Sequence, residues 1–177
     1  FQQEAETAPT FLKDIAWRAM TAFDMPAVER IAADVHPGLF EAPEVLAEKQ
    51  LLYRNGCYLL EVGERPAGYV LSHPWHADAP PALNTPLQSI PSDAATYYLH
   101  DLALLPVARR IGAASQIVAA LTKHAEAGGY PTMSLVAVNG SQGYWEKHGF
   151  SVRHPPGIAS KLRSYDADAV LMVRVLA

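Results

Sequence analysis

The chain has 177 residues, half of them apolar and 18% charged, which suits one globular domain with a sizeable core. A formal net charge of -4 argues against a nucleic-acid binder, which would be basic, and no apolar run approaches the roughly 20 residues of a membrane span. The single cysteine, Cys57, allows no internal disulfide, so a reducing, cytoplasmic setting is expected. The polar start reads as a flexible tail over residues 1–14 with no signal-peptide pattern, followed by one domain over 15–177.

Ile15 to Met20 reads as a first strand. Asp24 is the expected N-cap of a helix with Pro26 in its first turn, running to about Val35 with Val28, Ile31, Ala32 and Val35 at helical spacing. His36-Pro37-Gly38 ends it. Pro43 opens a second helix, anchored by Val45, Leu46, Leu51 and Leu52, and Asn55-Gly56 stops it. Cys57–Val62 and Ala67–Ser72 read as strands joined at hairpin length by Gly63-Glu64-Arg65-Pro66. Cys57 is open to two readings, a nucleophile or a small buried strand residue, and the Tyr58-Leu59-Leu60 run favours the second.

Prolines 74, 80, 81, 86 and 91 forbid regular structure between Pro74 and Pro91. Such a long loop serves either as a solvated crossover or as part of a site. Thr96–Leu105 is the fourth strand. The next helix carries Ala114, Ile117, Val118, Leu121 and Ala125 on one face and stops at Gly128-Gly129. Met133–Val138 is a fifth strand and Gln142–His148 a short helix. Gly149-Phe150 leads into a sixth strand, and Ala169–Leu176 is the last. One α/β domain with a mixed sheet accounts for the whole pattern.

The most informative segment is Arg109-Arg110-Ile111-Gly112-Ala113-Ala114, which fits Arg/Gln-x-x-Gly-x-Gly/Ala. It follows a strand and opens a helix, where successive backbone N–H groups and the helix dipole bind phosphate. Gly112 allows close backbone approach, and the two arginines offset phosphate charge. Neither a Rossmann fingerprint nor a P-loop is present. Thirty residues on come Asn139 and then Tyr144-Trp145-Glu146-Lys147-His148-Gly149-Phe150.

With both segments in this order and spacing, the chain resembles the GCN5-related N-acetyltransferases from about Trp17 onward. The resemblance implies a mixed, mostly antiparallel sheet of six to seven strands with about four helices, splayed between strands four and five. It also implies acetyl-CoA as co-substrate. Amides of Ile111, Gly112, Ala113, Ala114 and Ser115 would hold the pyrophosphate. The pantetheine arm would lie along Leu102, Ala103 and Leu104 like an added strand, with Asn139 and Trp145 beside it. A backbone N–H near Leu102 would stabilise the oxyanion.

The segment Tyr98-Leu99-His100-Asp101-Leu102-Ala103-Leu104 resembles the same strand in arylalkylamine N-acetyltransferases, where two histidines at the positions of Tyr98 and His100 remove the proton. Only a free amine attacks a thioester, and an imidazole takes up that proton near neutral pH. Strand alternation predicts Tyr98, His100, Leu102 and Leu104 on one face, with Asp101 opposite in a structural role. The family's usual acid tyrosine is replaced by Trp145, whose indole is no useful acid. Either Tyr144 substitutes, although a short helix points it elsewhere, or another group or water protonates CoA, or no acid is needed because CoA thiolate leaves readily. Ala114 stands where the first signature often ends in glycine.

His73-Pro74-Trp75-His76 lacks a third ligand, so no metal is expected. His73 and Trp75 are expected to line the substrate groove, and His36, His124, His148 and His154 to be surface or capping residues. Glu41 and Glu44 suit either recognition of a cationic amine or a solvated helix start, which acids favour. The expected reaction is acetyl transfer to a small-molecule amine in a ternary complex. A protein or peptide amine, and a non-catalytic acyl-CoA-binding domain, are the alternatives. A homodimer is compatible with the resemblance.

Overall fold

The computed structural model describes residues 14–177; most of the expected N-terminal tail lies outside them. Among these residues, seven strands form one sheet: β1 (Ile15–Ala19), β2 (Cys57–Val62), β3 (Arg65–Trp75), β4 (Thr96–Leu104), β5 (Thr132–Ala137), β6 (Ser151–Val152) and β7 (Val170–Val175). Their order is β1-β2-β3-β4-β5-β7-β6, antiparallel throughout except between β4 and β5. Among the described residues, five α-helices accompany them: α1 (Met25–Val35), α2 (Pro43–Leu52), α3 (Ala113–Ala127), α4 (Gln142–Lys147) and α5 (Ala159–Arg163). The sequence reading expected about four. The missed one, α5, is a single short turn of Ala-Ser-Lys-Leu-Arg with no buried residue, so it has no apolar period to find.

The sheet is covered on both faces. Met25, Val28 and Ile31 of α1 and Leu46 of α2 pack on Leu59, Tyr69, Leu71 and Ala103. Ile117, Val118, Leu121 and Ala125 of α3 pack with Trp145 and Phe150 on Val70, Tyr97, Leu99, Met133, Leu135 and Met172. In α2 the expected anchors Leu51 and Leu52 are not in the core. Val45, Leu46, Lys49 and Gln50 are its buried residues, and helical rotation from that face leaves Leu51 in solvent. Two of those buried residues are polar, which hides the helix's inward face from a hydrophobic count.

β2 and β3 join through Gly63 and Glu64, both with positive φ, the two-residue turn that suits the strand twist. β3 runs on to Trp75, so His73 pairs with Tyr98 and Pro74 with Tyr97. Cys57 is fully buried, and burial pushes its thiol up to about 12, so it is a packing residue. No described helix is long and apolar enough to cross a membrane.

Candidate active site

β4 and β5 pair at only two register positions, Tyr97–Met133 and Tyr98–Ser134, and then diverge. β4 continues to Leu104 with no partner on that edge. The gap opens a cavity of about 440 Å³ lined by β4, β5, the end of α1 and the starts of α3 and α4.

The β3–β4 register jumps at this level. Leu99 pairs with Ser72 and Asp101 with Leu71, so His100 is an extra, bulged residue. The bulge reverses the expected faces. Asp101 and Ala103 lie on the α1 side with His100 and Tyr98, while Leu99 and Leu102 face α3. Alternation over the whole strand therefore misplaces Asp101, Leu102 and Leu104, because one inserted residue inverts everything after it.

The Asp101 side chain is partly buried and reaches the end of α1. Its Oδ2 accepts from the Tyr69 hydroxyl at 2.5 Å, and its Oδ1 lies 3.0 Å from Nε2 of His36. His36 caps the end of α1, as expected, but its ring is largely enclosed rather than at the surface. Burial opposes its charged form, and the Asp101 hydrogen bond and charge outweigh burial, so its pKa is raised. His124 is also engaged, 2.7 Å from the Tyr53 hydroxyl.

Nε2 of His100 lies 3.0 Å from Oε1 of Glu41. Oε2 of Glu41 accepts from Asn84 N and lies 3.8 Å from Nζ of Lys49. Glu41 is thus no solvated helix start: its side chain is 7% exposed and the His100 side chain 2%. Burial pushes the Glu41 carboxyl up; the His100 hydrogen bond and charge, with Lys49, outweigh that and hold it below its usual value. Lys49 is fully buried, donates to Val45 O at 3.0 Å, and has its pKa lowered by burial against the pull of Glu41 and Glu48. Glu44 is exposed. The Glu41–His100 contact spans 59 residues of sequence, so nothing local announces it.

His73 and Trp75 do not line the cavity. His73 is fully buried beneath His100, with ring centroids 5.5 Å apart, and it also touches Trp75 and Tyr98. Burial, then the charge of His100, depresses its pKa to about 3. Tyr98 is buried beside Tyr165 and outside the lining.

At the other end lies the Arg-rich turn. Arg110 and Gly112 have φ of 62° and 80°, and the first α3 bond runs from Gln116 N to Gly112 O at 3.0 Å. The amides of Ala113, Ala114 and Ser115 precede that bond and have no helical acceptor. Open space surrounds the missing Cβ of Gly112. Such a start, with Arg109 and Arg110 on the cavity wall, fits a phosphate-bearing group. Arg109 Nε donates to Leu104 O at 3.0 Å, so that carbonyl is engaged from within the chain.

Of the residues expected along the donor arm, Leu102, Leu104, Arg109, Arg110, Ala114, Asn139 and Trp145 line the cavity. Ala103, Ile111, Gly112, Ala113 and Ser115 do not; Ala103 and Ala113 are core residues. Tyr144 does line it, beside Trp145 at 5.0 Å between ring centroids, contrary to the expectation that it points away. Burial raises the Tyr144 pKa, partly offset by Ser115.

The Pro-rich segment straps the α1 side of the cavity. Asn84 Oδ1 accepts from Ala42 N at 2.8 Å, and the Glu48 carboxylate accepts from Leu87 N and Gln88 N at 2.6 and 3.1 Å. On the opposite bank, Tyr165 donates to Pro81 O at 2.5 Å, and Asp78 pairs with Arg153 at 2.7 Å. Leu83 and Tyr165 join the lining, two residues that sequence reasoning missed.

Residues 16–150 match the profile of the acetyltransferase (GNAT) family. No curated protein matches the sequence. Solved structures that share the fold include the following three. The GNAT-like decarboxylase GphF, in complex with isobutyryl-CoA, has TM-score 0.75 at 15% identity, covering 92% of this chain and 100% of its own. Ard1 from Thermoplasma volcanium has 0.69 at 14%, covering 92% and 98%. Naa50 from Arabidopsis thaliana, bound to the bisubstrate analogue CoA-Ac-MVNAL, has 0.67 at 10%, covering 92% and 99%.

Proposed function

This chain belongs to the acetyltransferase (GNAT) family, and we propose that it moves acetyl from acetyl-CoA to a small primary amine by direct attack in a ternary complex. Residues 15–177 act as one acyltransferase domain in a reducing, cytoplasmic setting, which suits a buried free thiol at Cys57. The observation that carries the reading is one cavity with two unlike ends. One end offers a phosphate nest and the other a buried carboxylate–imidazole pair beneath a strap.

At the donor end, the amides from Ile111 to Ser115 and the guanidinium groups of Arg109 and Arg110 hold the pyrophosphate. The partnerless edge of β4 from Leu102 to Leu104 carries the pantetheine arm, with Asn139 and Trp145 against it. GphF and Naa50, both solved with CoA derivatives, support that use of the fold. A β4 amide near Leu102 stabilises the oxyanion.

At the acceptor end, the Glu41–His100 pair takes the ammonium proton, through water or Glu41, because its ring is nearly enclosed. Tyr98 packs beside it. Tyr144, kept protonated by its raised pKa, serves as acid for the leaving thiolate. The strap favours a small acceptor over a polypeptide, since Asn84 and Pro81 tie it to both banks of the groove that a chain would enter. A CoA-release assay over amines, polyamines, amino acids and peptides tests this: release with small amines is expected, and release with peptides alone would overturn it.

A further inference from the structure

Among the described residues, Lys49 is the one lysine, arginine or acid that is fully buried. Its Nζ donates to Val45 O at 3.0 Å and lies 3.8 Å from Oε2 of Glu41. A charge out of water is costly unless an opposite charge stands beside it. The other acids nearby are engaged elsewhere. The Glu48 carboxylate accepts from Leu87 N and Gln88 N, and Asp101 accepts from Tyr69 with His36 beside it. Glu41 is left to match the Lys49 charge. On its other oxygen, Glu41 faces Nε2 of His100; an ionised carboxylate only accepts, so that nitrogen carries the hydrogen. A second hydrogen, on Nδ1 of His100, would be a buried donor without an acceptor, so the resting ring is neutral. A neutral ring lends Glu41 a hydrogen bond but no charge.

We propose that Lys49 is a positioning residue: its buried ammonium is the counter-ion of Glu41, draws Oε2 inward, and keeps the carboxylate ionised as the proton acceptor of the Glu41–His100 pair. This inference rests on the acetyl-transfer reading. Glu41 lines the cavity and Lys49 does not, so Lys49 acts through Glu41 and touches no reacting atom. As the amine loses its proton, an N–H bond of the ammonium breaks and an O–H bond on Glu41 forms, directly or through water. The carboxylate must be free of a proton before the amine arrives. Without Lys49, burial favours the neutral acid, and Glu41 is already protonated at a higher pH.

The groups that face Lys49 besides Glu41 are Glu48 on α2, Cys57 on β2 and Asp101 on β4. Those that face Glu41 are His36 at the end of α1, Tyr69 and His73 on β3, Tyr98 and His100 on β4, and Tyr165 beyond α5. Burial holds Cys57 and the three tyrosines protonated and His73 neutral, and His36 is paired with Asp101. The charge that Lys49 supplies to Glu41 therefore has no substitute among these neighbours.

Carbon-13 NMR of the glutamate carboxyls in the full chain reads the Glu41 titration without any substrate. Lys49→Met keeps the length of the side chain and removes its charge. It is expected to raise that titration by about one pH unit or more. In kinetics the acidic limb of kcat/KM moves up by the same amount, so the rate on the limb falls about tenfold per unit, while the acetyl-CoA KM stays in place. Lys49→Gln keeps a donor for Val45 O without the charge and is expected to move the limb as far. A Glu41 titration that stays in place in Lys49→Met, or a shift in Lys49→Met that is absent in Lys49→Gln, overturns the proposal. Nitrogen-15 NMR of the wild-type lysine side chains decides the matter even if both variants fail to fold: Lys49 is expected to be an ammonium throughout the Glu41 titration, and a neutral amine there overturns the proposal. Failure of acetyl transfer as such appears separately, as an absence of CoA release with every amine, and leaves both spectra to judge the ion pair.

Discussion

Nε2 of His36 lies 3.0 Å from Oδ1 of Asp101, tying the C-terminal cap of α1 to the β4 bulge. The folded His36 binds its proton more tightly than the unfolded one. The pair's stabilisation is therefore complete below about pH 6.5 and fades as pH rises through the raised folded value. Asp101→Asn is expected to cost about 2 kcal/mol at pH 6, as for a hydrogen bond to a charged group. The melting-temperature gap to wild type narrows by pH 9; an equal gap at both pH values contradicts the assignment.

His73 has the opposite sign. Its folded pKa is depressed to about 3, chiefly by burial, so from pH 6.5 downward the unfolded chain takes up a proton that the folded one refuses. This removes stability at up to about 1.4 kcal/mol per pH unit. His73→Phe abolishes that uptake. Urea midpoints of the variant should fall less steeply than those of wild type between pH 6.5 and 4, and parallel slopes would count against a neutral His73.

Gly56 is packed where no side chain fits. A Cβ there would sit 2.1 Å from Ser72 O and 2.7 Å from the Tyr97 hydroxyl, in the paired layer of β3 and β4. Gly56→Ala is expected to cost about 3 kcal/mol and lower the melting temperature by roughly 6–12 °C. A variant melting within a degree of wild type would show that the layer yields.

Much of this fold was legible in the sequence because each element carried its own local signal. Cys57–Val62 begins and ends as its pattern predicts, and α3 buries the predicted Ile117, Val118, Leu121 and Ala125. The acceptor end was legible only in part. His100 could be singled out by chemistry, but the bulge at that residue inverts a period-2 reading and hides Asp101 on the α1 side. Glu41 looked like an ordinary acid before a helix. What makes it different is a set of partners, His100, Lys49 and Asn84, that only the tertiary fold brings together.

Gly112 holds φ at 80° at the start of α3 with open space around it, so alanine there meets backbone strain and no clash. Gly112→Ala is expected to cost about 1 kcal/mol in the turn and weaken acetyl-CoA binding about fivefold by calorimetry. An unchanged dissociation constant would mean that the turn does not hold the donor.

The central claim is acetyl transfer from acetyl-CoA to a small amine with the proton passing to the Glu41–His100 pair. CoA release measured for wild type and His100→Ala over a panel of small amines tests it most directly. The account predicts release with at least one small amine, cut 100-fold or more in the variant with acetyl-CoA affinity retained. No release with any small amine, or equal turnover in the variant, would contradict it.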